Sequence, residues 1–254
     1  NIPLDITVKN NPEKLAKELG GEIIATGQVR IFDAGKIEKL SGYTEGEWWV
    51  QDAASALPVL LLGNIKDKII FDLCAAPGGK TAQLISAGAR VIAVDKSKKR
   101  IDKLKSNMNR LGFQPEIHES DILNWQPTIK PDVILLDAPC SATGTFRRHP
   151  EVIWHHDQKD VMQLAEIQRK LLAHIIKWIG SGGQIVYCVC SLQPEEGEEQ
   201  IDNFLSKHKD FFIKKPSHLP NELFNKQGAI RTLPNSFSAK GGIDGFYAVL
   251  LEKR

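Results

Sequence analysis

The sequence predicts an α/β protein built on a doubly wound, mostly parallel sheet. From Lys68 onward, short apolar runs alternate with amphipathic helical stretches, as βαβ units require. The run Ile69-Ile70-Phe71 passes into a glycine loop, Cys74-Ala75-Ala76-Pro77-Gly78-Gly79-Lys80-Thr81, from which a helix can start. The next run, Arg90-Val91-Ile92-Ala93-Val94-Asp95, ends in an acid at what would be the carboxyl tip of a neighbouring parallel strand. Strand, glycine turn and helix together form a ligand cradle. Glycine admits positive φ and close approach, and a helix start aims unpaired N–H groups at polar atoms.

Composition narrows the function classes. A chain of 254 residues can bury one large core, or a main domain with a small appendage. Its formal charge of +2 is too small to imply a polyanion partner, so any such partner must rest on local clusters. No apolar run is long enough to span a bilayer, and Asn1-Ile2-Pro3-Leu4-Asp5 lacks the features of a signal peptide, so a cytoplasmic protein is expected. Four cysteines (Cys74, Cys140, Cys188, Cys190) are too few for a disulfide scaffold, and without a C-x-x-C pair no metal is expected.

In chain order, residues 1–45 read as a small α/β unit: a strand over Leu4 to Val8, a helix begun by Asn11-Pro12-Glu13 and running through Leu15 and Leu19, and a strand within Gly27 to Phe32. A packing extension is the plainer reading of this unit, with RNA contact as the alternative. Residues 46–254 form the main domain. Trp48-Trp49 leads into an apolar helix through Leu57 and Leu60 to Leu62, and paired tryptophans are more often core than base-stacking platforms. After Asp95, Ser97 to Leu111 is an amphipathic helix with Ile101, Leu104, Met108 and Leu111 inside and Lys98, Lys99, Arg100, Lys103, Lys105 and Arg110 outside. Glu116 to Glu119 is a third strand with Asp121 just past its end, and Asp132 to Asp137 a fourth. A long helix from about Asp157 to Ile179 should bury Leu164, Ile167, Leu171, Leu172, Ile175 and Ile176. The fifth strand, Gln184 to Cys190, puts Cys188 and Cys190 on one face with Cys190 nearest the tip.

Asp95 can accept both hydroxyls of a ribose. A P-loop is excluded because the residue five before Gly79 is Cys74, and G-x-G-x-x-G is absent. A ribose-holding acid without a pyrophosphate loop suits a nucleoside lacking phosphate, of which S-adenosylmethionine is the common case. The cradle and Asp95 resemble the Rossmann-like S-adenosylmethionine-dependent methyltransferase fold, which implies seven strands with the fourth and fifth adjacent. Cys140 and Cys190 would then face each other across the mouth of the pocket, with Cys74 and Cys188 as core thiols. Asp121 would take the adenine amino group, and Arg147 and Arg148 would lie in a loop beside the reaction centre.

More specifically, Cys74 to Thr81, Asp137-Ala138-Pro139-Cys140-Ser141-Ala142-Thr143-Gly144 and Tyr187-Cys188-Val189-Cys190-Ser191-Leu192-Gln193-Pro194-Glu195-Glu196 resemble the motifs of bacterial 16S ribosomal-RNA cytosine-C5 methyltransferases of the Nol/Nop/Sun superfamily. The likeness runs from Trp48 to Gly242-Ile243-Asp244-Gly245-Phe246-Tyr247. Val189 stands where threonine is usual before the nucleophile, and Gly197 where asparagine is common. The resemblance implies transfer of methyl from S-adenosylmethionine to cytosine C5 through a covalent Cys190–C6 intermediate, with Cys140 assisting product release and Asp137 on ring N3. Lys80 could hold Asp137, lower a thiol pKa, sit at the cofactor edge or merely start a helix. The cofactor set comprises Cys74, Ala75, Ala76, Pro77, Gly78, Gly79, Lys80, Asp95, Arg100, Asp121 and Asp137. Arg147, Arg148 and Arg231 are candidates for holding RNA. Such families usually carry a leading all-helical RNA-binding domain, so Asn1 is expected to mark a fragment, and the protein is expected to be monomeric. DNA cytosine methyltransferases would instead use Cys140 as nucleophile, but their Glu-Asn-Val motif is absent. Adenine-N6 enzymes need an Asn/Asp-Pro-Pro-aromatic motif that Asp137-Ala138-Pro139-Cys140 does not satisfy. A non-enzymatic RNA-binding assembly factor and a methyltransferase acting on another RNA such as tRNA are the alternatives.

Overall fold

The computed structural model describes residues 2–254 and holds two sheets. The first comprises β1 (Leu4–Val8), β2 (Glu22–Ile23), β3 (Val29–Ile31) and β4 (Trp48–Val50), antiparallel in the order β2-β3-β1-β4, with α1 (Pro12–Leu19) packed on it. Ile6, Leu15, Ala16, Val29, Ile31 and Trp48 form its core. Asn11 starts α1 by accepting from the Lys14 amide, and Gly20 ends it at φ 64°. Trp48 and Trp49 are both buried, as expected of core residues, but they lie on β4, so this sheet extends through Val50. Buried Arg30 donates two hydrogen bonds to Asp5 at 2.6 and 2.7 Å, and the second Asp5 oxygen also accepts from the Ala53 amide. A fully paired charge thus joins the first sheet to α2 (Ala53–Leu60).

The main sheet follows the expected alternation: β5 (Ile69–Leu73), α3 (Gly79–Ser86), β6 (Arg90–Asp95), α4 (Lys98–Leu111), β7 (Glu116–Glu119), β8 (Val133–Asp137), α5 (Gln158–Ile175), β9 (Gln184–Val189) and α6 (Glu198–Lys207). It then closes with β10 (Phe211–Ile213), β11 (Ile230–Thr232) and β12 (Phe246–Lys253). The order is β10-β12-β9-β8-β5-β6-β7, with β11 also on β12, giving eight strands rather than seven. β5 to β9 are mutually parallel, while β10, β11 and β12 pair antiparallel. The extra strand is only three residues long, too short to give a period-two signal.

Strand alternation builds two apolar layers. Phe71, Leu73, Ile134, Leu136 and Tyr187 pack under Leu171, Leu172, Ile175 and Trp178, while Ile70, Val133, Leu135, Val186 and Cys188 pack on the other face with Leu57, Leu61 and Leu84. Helix α4 buries the four apolar residues expected of it. Helix α5 differs: it buries Val161, Ala165, Gln168, Leu171, Leu172 and Ile175, leaves Ile167 at 40% exposure, and tightens into a 3₁₀ turn over Ile176–Trp178. A polar Gln168 takes the place the apolar pattern assigned to Ile167, because a buried polar network awaits it. No helix among the described residues is long and apolar enough to cross a membrane.

Candidate active site

Parallel β5, β6, β8 and β9 bring their carboxyl ends to one edge, where ligands gather on such sheets. At the tip of β5 the chain turns sharply: Cys74 has φ 60° and Gly78 φ 104° before α3 begins. A Cβ at Gly78 would meet Met108 Cε at 3.1 Å and Leu104 Cγ at 3.3 Å, so this glycine is required by its φ and by packing on α4. A Cβ at Gly79 would meet nothing within 4 Å, which leaves the ligand side of the loop open there.

Asp95, at the tip of β6, has one oxygen accepting from the Ser97 amide at 3.0 Å and the other from the Ala76 amide at 3.2 Å. A carboxylate has about four acceptor positions, so one remains on each oxygen, the capacity a ribose diol needs. Arg100 lies over it, 3.5 Å from Oδ2, and also donates to the Ala76 carbonyl. This donor and acceptor set fits S-adenosylmethionine at its ribose. Asp121 follows β7, and Ser120 binds the Asp95 carbonyl through its amide, so the two acids lie at neighbouring strand ends. Asp121 Oδ1 accepts from the Leu123 amide in a local turn.

Register pairs Asp137 with Cys188 across β8 and β9, and just beyond both tips the Cys140 and Cys190 sulfurs lie 3.5 Å apart. The facing of the two cysteines is thus observed, with β9 ending one residue short of Cys190. Lys80, buried in the first turn of α3, donates to Asp137 Oδ2 at 2.9 Å. Burial opposes the Lys80 charge, but the Asp137 carboxylate outweighs it and raises the ammonium pKa, so Lys80 is a fixed cation. Of the sequence alternatives for Lys80, the structure displays the contact with Asp137. Cys188 is a buried core thiol, as expected, and its sulfur also donates to the other Asp137 oxygen at 3.4 Å. Burial pushes Cys74 up to about 12 and raises Cys188, and both stay protonated near neutrality. The Cys140 thiol is also raised, by its contact with Cys190, by burial and by the charge of Glu196.

The three arginines proposed for RNA each have an internal carboxylate partner. Arg147 donates to Asp52 at 2.9 Å and to the Gly241 carbonyl at 3.0 Å, Arg148 chelates Asp244, and Arg231 donates to Glu198 at 2.9 Å and to the Ser191 carbonyl at 2.6 Å. These pairs close the loops around the cysteines: Gly144 donates to the Cys190 carbonyl and accepts from the Gly245 amide.

Sequence reasoning missed Glu196, Gln168, Asp52 and Asp244, all buried. Glu196 stood in plain view inside a motif, but one of two adjacent acids gives no local sign of burial. The available signal was Gln168, a polar residue on an otherwise apolar helical stripe.

The sequence profile described as 16S rRNA methyltransferase RsmB/F matches residues 59–252. Ribosomal RNA small subunit methyltransferase B of Sodalis glossinidius is 39% identical over 212 residues, covering 79% of this chain and 49% of that protein. The chain spans about half the length of the curated relatives it matches. Among solved structures, a methyltransferase homolog protein from Pyrococcus horikoshii superposes with a TM-score of 0.81 at 26% identity, covering 100% of this chain and 87% of that one. NSun6 from the same organism, solved with SFG, gives 0.74 at 30% identity, covering 86% and 56%.

Proposed function

Because the chain belongs to the 16S rRNA methyltransferase RsmB/F family, we propose that it transfers a methyl group from S-adenosylmethionine to C5 of a cytosine in 16S ribosomal RNA, as a cytoplasmic monomer. The observation that carries this reading is the pair of sulfurs, Cys140 and Cys190, 3.5 Å apart beside Asp137 at adjoining strand tips. Methyl transfer to an amine or hydroxyl needs no thiol. Transfer to C5 of cytosine does, because that carbon is a poor nucleophile until C6 has been attacked.

Residues 74–80, Asp95, Arg100 and Asp121 would hold S-adenosylmethionine, which when bound supplies an electrophilic methyl group. Asp137, protonated when the base is bound, would donate to ring N3 and stabilise the negative charge developing there, while Lys80 holds Asp137 in place. Cys190 would add to C6, turning the ring into an enamine reactive at C5. Removal of the C5 proton, assisted by Cys140, then expels Cys190 by elimination. The base must leave its stack to reach these groups.

The test is to incubate the protein with S-adenosylmethionine and unmethylated small-subunit RNA, digest to nucleosides and look for 5-methylcytidine by mass spectrometry. Its formation is the expected result. Modified nucleoside of another kind, or none, would overturn the reading.

A further inference from the structure

Glu196 is fully buried, yet all four of its hydrogen-bond partners are neutral. One oxygen accepts from the Ser141 amide at 3.0 Å and from Gln168 Nε2 at 2.9 Å; the other accepts from the Ser141 and Ser191 hydroxyls, both at 2.5 Å. Ser141 follows Cys140 and Ser191 follows Cys190, so one side chain ties together the two loops that carry the sulfurs. The amide of Gln168 is oriented by its other end, where Oε1 accepts from the Tyr187 hydroxyl at 3.0 Å and from Gln200 Nε2 at 3.3 Å. Every acceptor position of the carboxylate is filled by a donor.

We propose that Glu196 is a positioning residue that sets the spacing of the two sulfurs and keeps the proton on Cys140, so that Cys190 is the sulfur that reacts. This inference rests on the reading of Cys190 as nucleophile. The charges around the pair are asymmetric. Glu196 opposes a second negative charge on Cys140, whereas the Lys80 and Arg148 cations act on Cys190. Asp137 on β8, Tyr187 and Cys188 on β9, and Asp52 and Asp244, which pair with Arg148, are further titratable groups near the sulfurs. The Cys140 S–H donates to the Cys190 sulfur, and the Cys190 proton goes to solvent as that sulfur attacks C6. Once Cys190 is bonded to C6 its charge is gone, the Cys140 proton leaves to solvent, and that sulfur is free to take the C5 proton.

The experiment needs neither RNA nor cofactor. The protein is treated with limiting iodoacetamide between pH 6 and 9, and alkylation at each cysteine is followed by peptide mass spectrometry. In the parent, Cys190 should react at least ~10-fold faster than Cys140 at pH 7, because the raised Cys140 thiol holds its proton. Glu196→Gln should reduce that preference by ~10-fold, and Glu196→Asp, which keeps the charge, should retain most of it. Equal rates at the two cysteines in the parent, or faster reaction at Cys140, would overturn the proposal whatever the variants do. So would an unchanged preference in a folded Glu196→Gln protein. Selective alkylation without 5-methylcytidine formation would count against the enzymatic reading and leave the role of Glu196 standing.

Discussion

Lys80 reaches from the first turn of α3 to Asp137 at the tip of β8, 2.9 Å away, joining the cofactor loop to the proposed base-binding acid. Lys80→Met would remove the charge and keep the apolar stem. The expected outcome is a fall of ~10²-fold in single-turnover methyl transfer, the order of one preorganised electrostatic partner, without loss of the fold. A change of less than about threefold would remove Lys80 from the chemistry.

The 3.5 Å sulfur contact yields a second outcome. Cys190→Ala should abolish methyl transfer while cofactor binding survives. Cys140→Ser should accumulate a denaturant-resistant protein–RNA adduct on gels, because bond formation at C6 proceeds and release does not. Adduct trapped by Cys190→Ser instead would exchange the two roles.

Asp95 retains acceptor capacity for a ribose diol on both oxygens. Asp95→Ala should weaken S-adenosylmethionine binding by ~10²-fold in calorimetry, about two charge-assisted hydrogen bonds after their exchange with water. Unchanged affinity would place the ribose elsewhere.

Beneath the site, Asp72 lies fully buried on β5, with Thr81 donating to one oxygen at 2.5 Å and the other oxygen unpartnered. Burial pushes its carboxyl up to about 7 against the opposing Thr81 bond. An unfolded aspartate titrates near ~4, so between roughly pH 4 and 7 the native state binds more protons than the unfolded one. This group therefore makes stability fall as pH rises through that window. Asp72→Asn should gain on the parent from pH 4 to 7.5 by on the order of 3 kcal/mol in urea melts. A difference between the two proteins that is flat with pH would contradict the raised carboxyl.

Gly144 lies where the β8 and β12 loops touch. A Cβ there would come 1.9 Å from the Gly245 carbonyl oxygen and 2.9 Å from that of Cys190. Both are backbone atoms, so relief requires parting the loop before β12 from that of Gly144, and the Cys190 carbonyl must shift as well. Gly144→Ala should cost about 1–3 kcal/mol or more in stability and depress methyl transfer beyond that loss. Full activity in a folded Gly144→Ala protein would mean that the loop tolerates a displaced Cys190.

Much of the site could be read before the fold was known. The cradle at 74–81, the acid ending β6 and the two cysteines past adjacent strand tips each follow from patterns confined to ten or so residues, where strand alternation and glycine turns act locally. The resemblance to the methyltransferase fold implied β8 beside β9, which the sheet displays. By contrast, the partners of Arg147, Arg148 and Arg231, candidates for holding RNA, could not be read, because no local pattern names them. Their acids, Asp52, Asp244 and Glu198, lie 95, 96 and 33 residues away in sequence. Likewise Gln168 and Glu196 became a buried pair only when α5 packed across the β9 loop. Local backbone preference and hydrophobic period lie within short stretches, and they specified the strands, the helices and the positions of the reactive groups along the chain. Which charges are buried, which are paired and which remain free depends on groups brought together from distant stretches, and that pairing was decided only by the packed fold.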